Sequence, residues 1–177
     1  MTPVVLRPAW PADAAAIAEI HVDVWRRTYR DLAPAAAFDA LDVPRRRAQW
    51  DRILGDPDQI ALVADGDGTL AGFALAGPAG EPVFDGRAEV KFLYIGHAFA
   101  RQGLGRRLLA ALAAAVRDRG GSGIGLGVVA GNDRAIAFYE AMGGRRIGAY
   151  TDPGPLWRSD NLAYAWDDLA ALAAKGM

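Results

Sequence analysis

The sequence predicts one α/β or α+β domain over residues 1–177, with elements in the order β-α-α-β-β-β-α-β-α-β-β. Three observations carry this. Apolar residues alternate between strand and helix spacing along the chain. Glycine and proline clusters fall between those segments. No internal repeat, linker or low-complexity stretch divides the 177 residues, a length that buries most of a core without staples.

The elements follow in order. Val4 to Arg7 reads as a first strand stopped by Pro8. Pro11 and Asp13 then open a helix with Ile17, Ile20, Val24 and Trp25 at helical spacing. Pro34 and Pro44 divide the next stretch into two shorter helices. The second carries Arg45, Arg46 and Arg47, which read as a solvated face, and Trp50. Ile60 to Val63 and Leu70 to Leu75 flank Asp65-Gly66-Asp67-Gly68, a hairpin signal. After a Gly/Pro-rich loop, Ala88 to Ile95 is another strand, with Glu89, Lys91 and Leu93 expected on one face. Leu104, Leu108, Leu109, Leu112 and Val116 form one stripe, so residues 103–119 make an amphipathic helix. Residues 123–129 return to strand; Gly123, Gly125 and Gly127 suggest close packing on one sheet face. Residues 132–142 are helical, with Asn132 at the N-cap and Gly143 at the stop. Two strands, 145–150 and 161–166, follow across a loop, and residues 167–175 suggest a short helix.

Composition removes several classes of function. The chain has no cysteine, which excludes disulfides, thiolate metal sites and a cysteine acyl-enzyme. Its two histidines, His21 and His97, do not make a metal site by themselves, so no metal is expected. A formal charge of −1 gives no support for a nucleic-acid partner. No run approaches the roughly 20 apolar residues that cross a bilayer, and Met1 to Pro8 does not read as a signal peptide. A cytoplasmic protein without membrane partners is expected.

The chemistry concentrates in two segments. In Arg101-Gln102-Gly103-Leu104-Gly105-Arg106 a strand hands over to a helix through glycines. The first turn of a helix offers unpaired N–H groups and the positive end of its dipole, which suit a pyrophosphate. Arg101 and Arg106 add charge-assisted contacts. A P-loop is absent, because no Gly-Lys-Ser/Thr run occurs, and the spacing does not fit a dinucleotide fingerprint. In the second segment, Asn132 and Tyr139 are seven residues apart, almost two helical turns, so they project on the same side.

Together these segments resemble the GNAT superfamily of acetyl-CoA-dependent N-acetyltransferases. The turn carries Gly103 and Gly105 of the family pattern Arg/Gln-x-x-Gly-x-Gly/Ala, with Ala100 at its first position, and Asn132, Ala135, Phe138 and Tyr139 match its Asn-x-x-Ala-x-x-Phe-Tyr segment. The stretch His21…Trp25…Tyr29-Arg30-Asp31-Leu32 is similar to one bacterial branch. The chain departs from the family pattern at Ala100, His97 and Gly144.

The resemblance implies a mixed, mostly antiparallel central sheet flanked by helices, with acetyl-CoA as co-substrate. It implies that Leu93, Tyr94 and Ile95 pair with the pantetheine arm and that the N–H groups of Gln102, Gly103, Leu104, Gly105 and Arg106 hold the pyrophosphate. It implies that Asn132 bonds the arm and that Tyr139 protonates the departing thiolate. A backbone N–H near Tyr94 or Ile95 is the expected oxyanion donor. Glu89 is the candidate base, against a structural pairing with Lys91 or an arginine. His21, Trp25 and Tyr29, spaced by four, suggest one wall of an acceptor site, against a packed helix face. Asp152, Trp157 and Asp160 are further candidates. The acceptor is a small-molecule or peptide amine, and a homodimer stays open. A catalytically silent coenzyme A sensor on the same fold is the competing reading.

Overall fold

The computed structural model describes residues 3–177; Met1 and Thr2, the start of the segment read above as unlike a signal peptide, lie outside the described residues. Seven strands form one sheet: β1 (Val5–Pro8), β2 (Ile60–Gly66), β3 (Thr69–Gly77), β4 (Ala88–Ile95), β5 (Ile124–Val129), β6 (Arg145–Asp152) and β7 (Ser159–Trp166). Their order is β1-β2-β3-β4-β5-β7-β6, antiparallel everywhere except between β4 and β5. Six helices flank it: α1 (Ala14–Thr28), α2 (Ala35–Ala40), α3 (Val43–Leu54), α4 (Leu104–Asp118), α5 (Asp133–Ala141) and α6 (Leu169–Ala174). The N-terminal helices number three, and the late loop is shorter than expected, because β6 and β7 each gain two residues at its ends.

Arg7 fixes the entry. It bonds Asp13 at 2.8 Å and Asp65 at 2.9 Å, tying β1 to the turn before α1 and to β2. The β2–β3 hairpin turns at Asp67 and Gly68, both at positive φ, as a two-residue turn of matching twist requires. One face of the sheet carries α4, whose stripe of Leu104, Leu108, Leu109, Leu112 and Val116 is at most 3% exposed. Burying each such side chain contributes about 1.5–3 kcal/mol, which makes this face the main core. On the other face α1 and α3 pack Ile17, Ala18 and Trp50 against Val63, Phe73 and Leu75.

Two irregularities shape the centre of the sheet. Leu75 pairs with Phe92 but Ala76 pairs with Val90, so Lys91 is an extra residue in β4. Such a bulge resets the alternation. Val90, Leu93 and Ile95 face α4, whereas Phe92 and Tyr94 face α1. The expectation that Glu89, Lys91 and Leu93 share a face is therefore corrected: Glu89 points away from Leu93. The second irregularity is that β4 and β5 pair only at Ala88–Ile124 and Glu89–Gly125, and then diverge.

On the far side of the split, Gly127 gives its side-chain position to Tyr150. A Cβ there would collide with the Tyr150 hydroxyl, and one at Gly125 would lie 2.6 Å from the Phe84 ring. The glycines of β5 thus admit two aromatic rings onto the face opposite α4.

Candidate active site

The divergence of β4 from β5 opens a cleft of about 730 Å3. Its walls are Val90–Ile95 on one side and Leu126–Val128 on the other, and α5 contributes Asn132, Ala135, Phe138 and Tyr139. Along β4 one backbone edge is paired with β3, and the other faces the cleft from Val90 onward. A β-strand with one free edge is a template for an extended ligand.

The cleft ends at the turn before α4. Arg101 and Gly103 both adopt left-handed backbone, with φ of 63° and 77°. Among the described residues no backbone carbonyl accepts from the N–H groups of residues 101–106; the first such bond in the helix is Arg107 N–H to Gly103 O. Alternating backbone of this kind gathers N–H groups into an anion-binding concavity, reinforced by the helix dipole. Arg101, Gly103, Leu104, Gly105 and Arg106 line the cleft. The Gln102 side chain does not; its amide turns back toward Ala98 O at 3.5 Å, so only its backbone is available. A Cβ on Gly105 would sit 3.5 Å from the Phe138 ring, an ordinary contact. The demand for glycine rests on the φ of Gly103.

Asn132 caps α5 with its side-chain oxygen, which accepts from Ala135 N–H at 3.4 Å. Its amide NH2 is thereby left as the group that can donate into the cleft. Tyr139 follows two turns later on the same wall, its ring edge-on to Phe138 and Trp166. Burial pushes its phenol above the ordinary value, with Tyr29 adding to the shift. Such a phenol stays protonated and serves as a donor, further from a thiol in acidity than the reference value suggested. Tyr29 and Tyr94 also line the cleft, and burial raises both phenols.

The other candidates divide. His21 is fully buried, accepting from the Trp50 indole at 3.1 Å, with Phe73, Phe92 and Tyr94 around its ring. Trp25 is 5% exposed and packs on Tyr29 and Phe38. Of the wall His21–Trp25–Tyr29, only Tyr29 reaches the cleft, because the helix turns its first two residues inward. Arg46 is not solvated with its neighbours: it is half-buried on the Trp50 face of α3, bonding Gln49. Glu89 lies at the apex of the split rather than in the cleft wall. Its Oε2 accepts from Gly80 N–H at 2.8 Å, and it has no ion pair among the described residues. Asp152 caps the turn at Gly154, Asp160 accepts from Thr151, and the Trp157 ring meets Tyr29 at 6.0 Å. Sequence reasoning missed Arg134, which lines the cleft. Arg134 is the second residue of α5, two after the Asn132 cap, and that place in the first turn was its only signal.

Gly144 departs from the family pattern for a local reason. A Cβ there would lie 2.7 Å from the Trp166 ring and 2.9 Å from Tyr139 O. Among the described residues no group of three or more potential metal ligands is found, and no helix is long and apolar enough to cross a membrane.

Residues 16–144 match the sequence profile of the Acetyltransferase (GNAT) family. The chain is 31% identical over 172 residues, 96% of each protein, to the uncharacterized N-acetyltransferase YuaI of Bacillus subtilis. It is 28% identical over 173 residues to phosphinothricin N-acetyltransferase of Streptomyces viridochromogenes, covering 94% of this chain and 85% of that one. Its fold is similar to that of yncA from Salmonella typhimurium, solved with its cofactor acetyl-CoA, with a TM-score of 0.70, 23% identity and 94% of each chain covered. Ribosomal-protein-alanine N-acetyltransferase from Brucella melitensis superposes with a TM-score of 0.71 at 27% identity, over 92% of this chain and 99% of that one. A free strand edge, an N–H cradle at a helix start and a matching family profile converge on one conclusion: the chain belongs to the GNAT family and is an acyltransferase dependent on acetyl-CoA.

Proposed function

We propose that the whole chain is one N-acetyltransferase domain that transfers an acetyl group from acetyl-CoA directly to a primary amine. The observation that carries this reading is the split between β4 and β5, which leaves the Val90–Ile95 edge unpaired and leads to the free N–H groups of residues 101–106. The pantetheine arm lies along Leu93, Tyr94 and Ile95 as an added strand, and the pyrophosphate occupies the turn from Gln102 to Arg106, with Arg101, Arg106 and Arg134 contributing charge. The Asn132 amide donates to a carbonyl of the arm.

In the transfer, the amine nitrogen bonds the thioester carbon and the carbon–sulfur bond breaks. Glu89, one residue before the strands part, takes the proton of the incoming ammonium by way of water; its Oε1 is the oxygen not committed to Gly80. A β4 backbone N–H near Tyr94 or Ile95 faces the developing oxyanion, and Tyr139 gives its proton to the departing thiolate; the second proton that the attacking nitrogen sheds as the amide forms returns to Tyr139, so one proton is released overall, by way of Glu89. The protein works in the cytoplasm of a bacterium, in keeping with its bacterial relatives. Those relatives are named for phosphinothricin in one case and for ribosomal-protein alanine in another, so kinship alone does not select the acceptor.

Calorimetry with acetyl-CoA, followed by thiol release across an amine panel, tests the reading. Binding with amine-dependent thiol release is expected. Binding without release for any amine would favour the silent sensor, and no binding would reject the cleft assignment.

A further inference from the structure

Strand β4 is the fourth of seven in the sheet, with α4 on one face and α1 and α3 on the other. Seven of its eight residues are buried or half-buried, and the eighth, Lys91, is exposed. Lys91 is also the residue that the bulge leaves over, since Leu75 pairs with Phe92 and Ala76 with Val90. A cation is thus held open to solvent in the middle of a central strand, and it lines the cleft.

Nothing holds that cation in place. No carboxylate lines the cleft, and Lys91 enters no ion pair among the described residues. The other cations of the cleft, Arg27, Arg101, Arg106 and Arg134, are arginines, whose guanidinium stays protonated and is no nucleophile. Lys91 and Lys175 are the only lysines of the chain, and Lys175, at the end of α6, does not line the cleft. Lys91 therefore carries the one side-chain primary amine in a cleft that receives a thioester.

Its place along β4 suits attack rather than anion binding. Ile95 is four residues, about 13 Å, further on, and the turn of residues 101–106 lies beyond that, too far for Lys91 to serve phosphates. Leu93, where the pantetheine arm is read to pair, is about 7 Å along the strand, a distance comparable to the flexible four-carbon stem of a lysine. Glu89 stands two residues to the other side, where β4 and β5 part.

We propose that Lys91 is an internal acetyl acceptor, a modification site that the protein fills from bound acetyl-CoA when no outside amine is present. Its Nζ bonds the thioester carbon and the carbon–sulfur bond breaks, giving a side-chain amide and the free thiol of coenzyme A. Of the three ammonium protons, one stays on the amide, one reaches the thiolate and one is released to water. The inference rests on the acetyltransfer reading above, which sets the thioester near Glu89.

The test incubates the full chain with acetyl-CoA and no amine, and follows intact mass with peptide mapping. One acetyl group per chain is expected at Lys91, gained at least tenfold faster than any at Lys175. The rate constant should not change with protein concentration, because amine and thioester share one cleft. Excess coenzyme A, which competes for that cleft, should slow the gain at Lys91 at least tenfold and leave Lys175 as it was. Lys91→Arg, which keeps a long cation in the bulge, should show no fast gain. Equal labelling of the two lysines, a rate constant that rises with protein concentration, or indifference to coenzyme A would overturn the proposal. So would a fast gain that persists in Lys91→Arg, or no gain at Lys91 in protein that binds acetyl-CoA by calorimetry. A failure of the acetyltransfer reading is distinguishable, since it appears as no acetyl-CoA binding at all.

Discussion

Trp50 donates its indole N–H to Nδ1 of His21 at 3.1 Å, and that bond decides which imidazole nitrogen carries the proton. With Nδ1 accepting, the neutral ring is protonated at Nε2, which is buried and finds no partner.

Burial, aided by the charge of Arg46, brings the His21 pKa down to about 2. The unfolded chain takes up this proton near pH 6.5, so below that pH the unfolded state binds one proton more than the native state. Stability should then fall by about 1.4 kcal/mol per pH unit, or about 2 kcal/mol between pH 6.5 and 5. Urea unfolding at the two pH values measures this. His21→Gln, which keeps an acceptor for Trp50, should flatten the slope; an identical slope in the variant would refute the assignment.

Tyr139→Phe should retain acetyl-CoA affinity and lower turnover at least tenfold, about 1.4 kcal/mol of barrier. Because the phenol of the native protein is raised by burial, the wild-type rate should show no loss of this acid as pH climbs through 9. A pH–rate profile with a falling limb there that disappears in the Phe variant would contradict the raised value.

The two glycines of the α4 turn should separate. Gly103→Val forces a branched residue into φ 77° and narrows the N–H cradle, so coenzyme binding should be abolished. Gly105→Ala places a methyl against Phe138 at an ordinary distance, and its affinity should stay within a few-fold of wild type. Calorimetry on both variants checks the contrast.

Deleting Lys91 should spare the fold more than the function. Val90 already faces α4 and Phe92 already faces α1, so removing the extra residue keeps every neighbour on its face. What the deletion removes is the local twist that helps β4 leave β5. We expect a thermal midpoint lowered by only a few degrees, but acetyl-CoA affinity lowered at least tenfold. Intact affinity would mean that the bulge does not shape the cleft.

Strand β4 shows how far the sequence could be read. Its ends, Ala88 and Ile95, were legible because a Gly/Pro-rich loop precedes it and Gly96 follows it, and the α4 stripe was legible because leucines recur at helical spacing. The bulge inside β4 was not. A single inserted residue leaves the run of apolar side chains unbroken and shows itself only through pairing with β3. The same limit applies to His21: its spacing from Trp25 and Tyr29 placed it on α1, but burial depended on Trp50, 29 residues away.

The parting of β4 and β5 also bears on how the protein avoids self-association. Splitting a sheet creates two raw strand edges, which elsewhere invite other chains to dock and aggregate. Here both edges face inward across a cleft of about 730 Å3, flanked by α5 on one side and the end of α1 on the other. A slender, flexible chain can thread that gap, whereas a folded neighbour's strand, with a sheet behind it, is too bulky to enter. Edges that would be hazardous at the rim of the sheet are made safe by being placed at its centre.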